Sequence, residues 1–352
     1  MTAVGLRGLD IALVGIGFHG RRIGELLVKR GANIVAAVDR GDAGRALSEV
    51  IEGADDAVII QREVAAAFAA AMRRPVIAVL AISGPVDAHD AVLLACLDHG
   101  VNAVTLETEV FDPSQQWRFA MDERARAAGV SVLATGIQDL WWVQLPALVT
   151  NFVADLHGVD IDHIVGLGDL SKSVGEVFQL GADVSQFAAV EELLSQEAAI
   201  LGAALRVLAR RIGLRAGAIE RQFEPVIAET VLPDGHGGTI PAGSLAGAVE
   251  TIRFQAAGVE FTGRFISRLL PSDADPSDTV ILRGDPDLRL EHRPFPGARL
   301  TDAAVVARLV DVVNADPGVL DPAHFPPSSP ALAGGGVAAL ASTDDSTYGV
   351  TR

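Results

Sequence analysis

The 352-residue sequence holds a single cysteine, Cys96, so it can form no internal disulfide and no metal cluster can be built around that thiol. Cys96 lies within an apolar helical run, Ala91 to Leu97, where a thiol serves as buried filler rather than as a nucleophile. Aromatic residues are scarce, at 5% of the chain, which makes any cluster of them conspicuous. Hydrophobic residues make up 49% but are dispersed in short runs of Ala, Val and Leu. None of these runs approaches the ~20 residues needed to span a bilayer. Met1 to Asp10 lacks the basic start, long apolar stretch and small-residue cleavage site of a signal peptide, so a soluble, cytoplasmic protein is expected. Positive charge is in deficit: 28 basic residues stand against 45 acidic ones, a net −17, which argues against nucleic acid and anionic membrane as partners. No serine nucleophile elbow, zinc motif or P-loop is present, and no metal site is expected.

What is present begins at Ile11. An apolar run ends in Gly15-x-Gly17-Phe18-His19-Gly20 and passes into Arg22 to Lys29, whose apolar residues recur at helical spacing. This reads as strand, glycine turn and helix. Gly15 permits the tight turn, Gly17 lets a pyrophosphate approach the backbone, and Gly20 lets the helix pack on the strand. The unpaired N–H groups and the dipole at the helix start then favour an anion. A second β-rich run, Asn33 to Val38, ends in Asp39. That is about 20 residues past the last glycine, where a carboxylate binds a ribose 2′-OH. The pattern predicts a dinucleotide, NAD by virtue of Asp39. Arg40 could stack on adenine or pair with a 2′-phosphate, so NADP stays open.

Residues 10 to 150 alternate strand and helix as a parallel sheet requires, giving a Rossmann domain over 1–150. Short elements are expected at Arg40 to Glu52 (helix) and Ala57 to Ile60 (strand). Pro75 to Ile82 is a continuous apolar run, the mark of a strand buried on both faces. The turn that follows, Ile82-Ser83-Gly84, should face the nicotinamide side of the cofactor. After the next strand come Glu107 and Glu109, which would point the same way if the strand continued and could then do proton chemistry, or else be solvated. Thr135 and Gln138 stand at the exit of a further strand, where they are expected to line the substrate pocket, and Asp139 is placed to cap a helix from Leu140 to about Leu156, with Pro146 inside it. Trp141 and Trp142 either pack a core or junction, or set one indole as the wall of an apolar pocket. From about residue 158 the pattern becomes a run of strands, Thr279 to Leu290 among them, with one principal helix at Val190 to Ile212. A second α+β domain of mostly antiparallel or mixed sheet is expected over 151–300, its open face a surface for a homodimer. Residues 301–327 should pack back on the first domain as a C-terminal helix, and the Ala/Gly/Ser-rich residues 328–352 should be a disordered tail.

Three stretches carry a family resemblance: His99 to Pro113, Gln179 to Ser185, and Thr301 to Pro327 with Pro317-Gly318-Val319-Leu320. They resemble the dihydrodipicolinate-reductase-like group and, more narrowly, the 2,4-diaminopentanoate dehydrogenases and native amine dehydrogenases. The resemblance spans most of residues 10 to 327. It implies reversible reductive amination of a small ketone or aldehyde with ammonia, using NAD or NADP, with a diamino acid as the alternative substrate. A nucleotide-binding sensor without turnover is the remaining alternative. The resemblance also implies a carboxylate that handles protons and positions ammonia. Group members carry adjacent glutamates where this chain has Thr108 and Glu109, and Glu107 supplies an acid one residue earlier, so the role lies with Glu107 or Glu109. The paired histidines of the dicarboxylate reductases have no counterpart here, which counts against that substrate class.

Overall fold

Two six-stranded sheets divide the chain. A computed structural model describes residues 6–169, 172–271 and 274–327. The tail expected to be disordered therefore lies outside the described residues.

The first sheet is built from β1 (Asp10–Val14), β2 (Asn33–Val38), β3 (Ile77–Leu80), β4 (Asn102–Thr105) and β5 (Ser131–Ala134), and closes with the two-residue β12 (Gly318–Val319). Its order is β12-β5-β4-β3-β1-β2, and every pairing is parallel. Alternation along β1 explains why it is covered on both sides. Ile11 and Leu13 face one layer with α1 (Phe18–Lys29) and α8 (Gly297–Val313), while Ala12 and Val14 face the other with α2 (Val64–Ala70), α3 (Val86–Asp98) and α5 (Gln115–Ala128). Caps fix the ends of α5: the Ser114 hydroxyl accepts the Trp117 N–H at 3.2 Å, and Gly129 stops the helix at φ +69°.

The second sheet contains β6 (Gly158–Gly166), β7 (Glu220–Ile227), β8 (Leu245–Ala256), β9 (Val259–Arg268), β10 (Ser277–Arg283) and β11 (Leu288–His292), in the order β11-β10-β6-β9-β8-β7. Only β6 and β9 pair in parallel, so the sheet is mixed. α7 (Ile200–Arg211) buries Leu201, Leu205 and Leu208 against it, and lies close because Gly263 has no Cβ to meet Leu201. The opposite face carries cross-strand ion pairs, Arg264 with Asp162 and Arg283 with Asp160 and Glu260. Among the described residues no helix is long and apolar enough to cross a membrane.

Several local expectations need correction. Residues 40–52 form only a single 3-10 turn, Leu47–Glu49, and 57–60 make only an isolated bridge. The helix expected from Leu140 starts earlier at Ile137, widens into a π-turn over Leu140–Gln144 and ends by Phe152; Gly136, not Asp139, is its N-cap. Asp139 is drawn instead into a buried network described below. The helix expected from Val190 to Ile212 is two, α6 (Phe187–Gln196) and α7, separated by extended backbone at Glu197 and Ala199. Thr279 to Leu290 is a hairpin whose turn is held by the Gly284 N–H donating to Asp287 at 2.8 Å.

Candidate functional site

The strand order of the first sheet reverses between β1 and β3, since the chain runs from β1 out to β2 and then returns to β3 on the other side. Ligands of open α/β sheets lie outside the strand ends at such a point. Each glycine of the turn there has its own reason. Gly15 has φ +87°, and a Cβ would stand 2.4 Å from the Ala81 carbonyl oxygen at the end of β3. At Gly20 a Cβ would meet the Gly15 carbonyl oxygen at 1.9 Å. Gly17 differs: a Cβ there would meet nothing within 4 Å, so the space beside it is open to a ligand. Gly17 is also the N-cap of α1 and offers no side-chain acceptor, which leaves the N–H groups of the first turn for an anion. Phe18 is 65% exposed. His19 Nδ1 lies 2.7 Å from Asp302 Oδ1, and Arg22 donates to Asp302 Oδ2 at 2.5 Å, so α8 braces the turn from outside.

Asp39 closes the other side. Its Oδ2 accepts the Ile16 N–H at 2.8 Å, and its Oδ1 accepts those of Gly41 and Asp42 at 2.7 and 3.1 Å. Burial works to raise its pKa, but the N–H groups of Ile16, Asp42 and Gly41, with Arg21 nearby, outweigh it and hold the carboxyl below its usual range. Gly15, Gly17, Asp39, Arg40, Ile82, Ser83 and Gly84 all line one cleft of about 270 Å³. Arg62 and His89, which sequence reasoning did not single out, line it too, as does Pro85 of the turn after β3. A larger hollow of about 430 Å³ runs along β2, away from this crevice. Among the described residues no three His, Cys, Asp or Glu side chains group closely enough to hold a metal ion.

The carboxylate pair follows β4 directly. The strand stops at Thr105 and does not continue through Glu107 and Glu109, so their relation is that of a helix start. Glu107 caps α4 (Thr108–Phe111), its Oε1 accepting the Glu109 N–H at 3.3 Å. Glu109 is exposed, yet burial and then the negative charges of Glu107, Asp90, Glu197 and Asp87 push its pKa up. Glu107 itself is tied to the cleft wall: its N–H donates to the Thr105 hydroxyl at 3.1 Å, and that hydroxyl lies 2.7 Å from His89 Nε2. His89 is 3% exposed, and burial lowers its pKa against the pull of Glu107 and Asp90, so the ring is neutral near pH 7. Its position one turn into the helix after Ser83-Gly84-Pro85 was the available signal.

The tryptophans meet a residue that sequence spacing does not connect to them. The indole N–H groups of Trp141 and Trp142 donate to the two oxygens of Asp278, at 2.7 and 2.8 Å, and His163 Nδ1 lies 2.9 Å from Oδ2. Asp278 is fully buried on β10, in register with His163 on β6 and His292 on β11. Both indoles thus pin the crossing segment to the second sheet, and Trp142, 1% exposed, is packed core. Thr135 and Gln138 are buried as well. The Thr135 hydroxyl donates to Asp139 at 2.8 Å, and the same Asp139 oxygen accepts from Arg308 at 2.9 Å. Arg308 also pairs with Asp311 and reaches the Phe325 carbonyl, all without solvent exposure of its side chain. A third hollow of about 190 Å³ opens on the second sheet between Phe178, Ile200, Phe265, Glu197 and the Arg221–Glu250 pair.

No protein-family model matches the sequence, and no curated protein matches it. Solved structures do. The chain is similar to an amine dehydrogenase from Mycobacterium smegmatis, 23% identical with a TM-score of 0.80 over 90% of this chain and 96% of that one. It is also similar to a probable dehydrogenase from Thermotoga maritima, 13% identical with a TM-score of 0.57 over 89% and 91% of the two chains. A myo-inositol 2-dehydrogenase from Lactobacillus plantarum matches at 13% identity and a TM-score of 0.52, over 88% and 89%. At these identities the likeness is one of fold: a parallel Rossmann sheet followed by a mixed second sheet.

Proposed function

We propose that the chain is an NAD(P)-dependent amine dehydrogenase that reversibly converts a small ketone or aldehyde and ammonia to a primary amine. The observation that carries this reading is the carboxylate pair Glu107 and Glu109 at the end of β4, joined through Thr105 and His89 to the wall of the crevice cleft. The cleft fits a dinucleotide: open space beside Gly17, first-turn N–H groups of α1 for a pyrophosphate, and Asp39 for a ribose. A nicotinamide bound there supplies or takes the hydride.

The chain's own residues supply the rest. A carbonyl and an ammonium ion together give a cationic iminium and water: ammonia adds to the carbonyl carbon, and the oxygen leaves as water carrying one proton from the added nitrogen and the one that the ammonium ion gave up. The negative field of Glu107, Glu109, Asp87, Asp90 and Glu197 favours that cation. A carboxyl at Glu109 whose pKa is raised can take a proton from the attacking ammonia and return it to the departing oxygen. A diamino acid needs a cation for its carboxylate, and Arg221, the one cation among the described residues that line the second-sheet hollow, is committed to Glu250 and to the carbonyls of Leu194 and Ser195. Simple amines are therefore favoured. Asp39 favours NAD, while Arg40 and Arg62 on the same wall give a 2′-phosphate two cations. The charged outer face of the second sheet is our proposed homodimer surface.

The test is NADH oxidation with short-chain ketones in the presence and absence of ammonium. Turnover that needs ammonium supports the reading; ketone reduction that proceeds equally without it overturns it. Binding of NADH with no turnover on any carbonyl or amine would leave the sensor alternative.

A further inference from the structure

Resting on the function proposed above, we infer that His89 is a positioning residue that couples the coenzyme cleft to the Glu107–Glu109 pair through the hydroxyl of Thr105.

The hydrogen-bond order follows from counting protons. Thr105 is 1% exposed, and its hydroxyl accepts the Glu107 N–H at 3.1 Å. A hydroxyl has one proton of its own to donate, and His89 Nε2, at 2.7 Å, is the acceptor within reach. The imidazole is neutral, so its proton then sits on Nδ1. Nδ1 faces Asp90 Oδ1 at 3.8 Å, inside ion-pair range but longer than a hydrogen bond, and neither atom has another partner. The second oxygen of Asp90 is held by the Trp117 indole N–H at 2.9 Å. The direction is thus fixed from end to end: Asp90 faces the His89 Nδ1–H, Nε2 accepts from Thr105, and Thr105 accepts from Glu107.

Two features make this more than local packing. His89 lines the cleft together with Pro85, Ala88 and Val92, so a ligand that fills the cleft lies against this residue. The far end of the chain of bonds is the backbone of Glu107, whose side chain in turn holds the Glu109 N–H. A shift of the ring therefore moves the point from which both carboxylates hang. Histidine suits this place because it is the neutral side chain that can accept at one ring nitrogen and donate at the other while filling an apolar wall.

The test uses the full chain with four variants, His89→Leu, Thr105→Val, their double variant and Thr105→Ser. His89→Leu and Thr105→Val are expected to lower kcat for ammonia-dependent turnover by about tenfold, a modest share of what a placed acid–base group contributes. NADH affinity should change less than about threefold in both, giving a kcat effect without a binding effect. The double variant should be no worse than either single one, because both cut the same link, and Thr105→Ser should restore wild-type rates. Additive losses, or unchanged kcat in both single variants, overturn the inference. The backbone amide of Glu107, followed by nitrogen-15 NMR, should move when NADH is added to the wild type and stay fixed in His89→Leu. An unmoved amide in the wild type overturns the coupling whatever the reaction. Absence of ammonia-dependent turnover in the wild type, with the amide still responding, sinks the proposed reaction and leaves the coupling standing.

Discussion

Replacing Gly17 with alanine should separate coenzyme binding from folding. A Cβ at this position meets nothing within 4 Å, and the backbone is extended, at φ −78° and ψ −153°, which alanine adopts freely. Alanine narrows the unfolded ensemble, worth about 0.4–1 kcal/mol in favour of folding. It is also a poorer N-cap than glycine, which offsets the gain by a similar amount. The net change in stability should stay within about 0.5 kcal/mol. The new methyl, however, occupies the space through which a pyrophosphate would reach the α1 N–H groups, and a hundredfold loss of affinity corresponds to about 2.7 kcal/mol. Thermal melts with and without NADH read both quantities. At a concentration 100 times the wild-type Kd, coenzyme adds about 2.7 kcal/mol to the wild type and about 0.4 kcal/mol to the variant. With an unfolding entropy of roughly 0.7 kcal/mol/K for a chain of this size, the midpoint rises by about 4 °C in the wild type and by under about 1 °C in the variant. Gly20→Ala is the control, because its Cβ would collide with the Gly15 carbonyl oxygen and disrupt the turn with or without coenzyme. If Gly17→Ala keeps the full coenzyme-induced shift, the assignment of the anion site to this turn is wrong.

Three further outcomes are expected. The acid limb of the pH–rate profile should lie above the usual carboxylate range if Glu109 is the base, and Glu107→Gln should move it to lower pH, because removing a like charge eases ionisation of Glu109; a limb that stays or rises assigns the base elsewhere. Arg308→Met strands the fully buried Asp139 and should cost about 3–5 kcal/mol in denaturant unfolding, with Arg308→Met/Asp139→Leu regaining much of it. Burial already pushes the Asp139 pKa up, and losing the guanidinium pushes it further, so the deficit should be small at acid pH and grow as pH rises through the folded-state value. Removing Arg40 and Arg62 together should weaken NADPH far more than NADH in a binding titration, since only the former carries a 2′-phosphate; equal losses would place both on the shared part of the coenzyme.

The parallel sheet and its glycine turn were legible because they are written locally: an apolar run, three glycines, a helix-period stretch and an acid follow one another within thirty or so positions. The strands of the second sheet were legible by alternation, though the Gly284 to Asp287 turn inside the expected Thr279 to Leu290 strand was missed. The geometry of Glu107 and Glu109 stays open in the sequence because it depends on where β4 stops, which a pair of acids does not reveal. Asp139 misled for a different reason. Its short carboxylate before a helical run reads as a cap, but Arg308 lies 169 positions away and claims it. Trp141 and Trp142 were noticed for their rarity, yet Asp278 and His163, which give them their place, lie on strands whose sequence carries no mark of it. Pairwise partners across long separations are set by packing, and a single sequence does not display them.

The return of α8 and β12 to the first sheet bears on how this protein emerges during synthesis. β12 completes the edge beside β5, and α8 covers the face formed by Leu13, Val79 and Val104. When the ribosome has released the five strands from Asp10 to Ala134, that apolar face is covered by α1 but not yet by α8, and it stays so until Gly297 to Val313 have been made. A chain with such late, long-range closure exposes a sticky intermediate for much of its translation. A release experiment on stalled nascent chains should find the N-terminal sheet protease-sensitive and chaperone-bound until Val313 has cleared the exit tunnel, and protected soon afterwards.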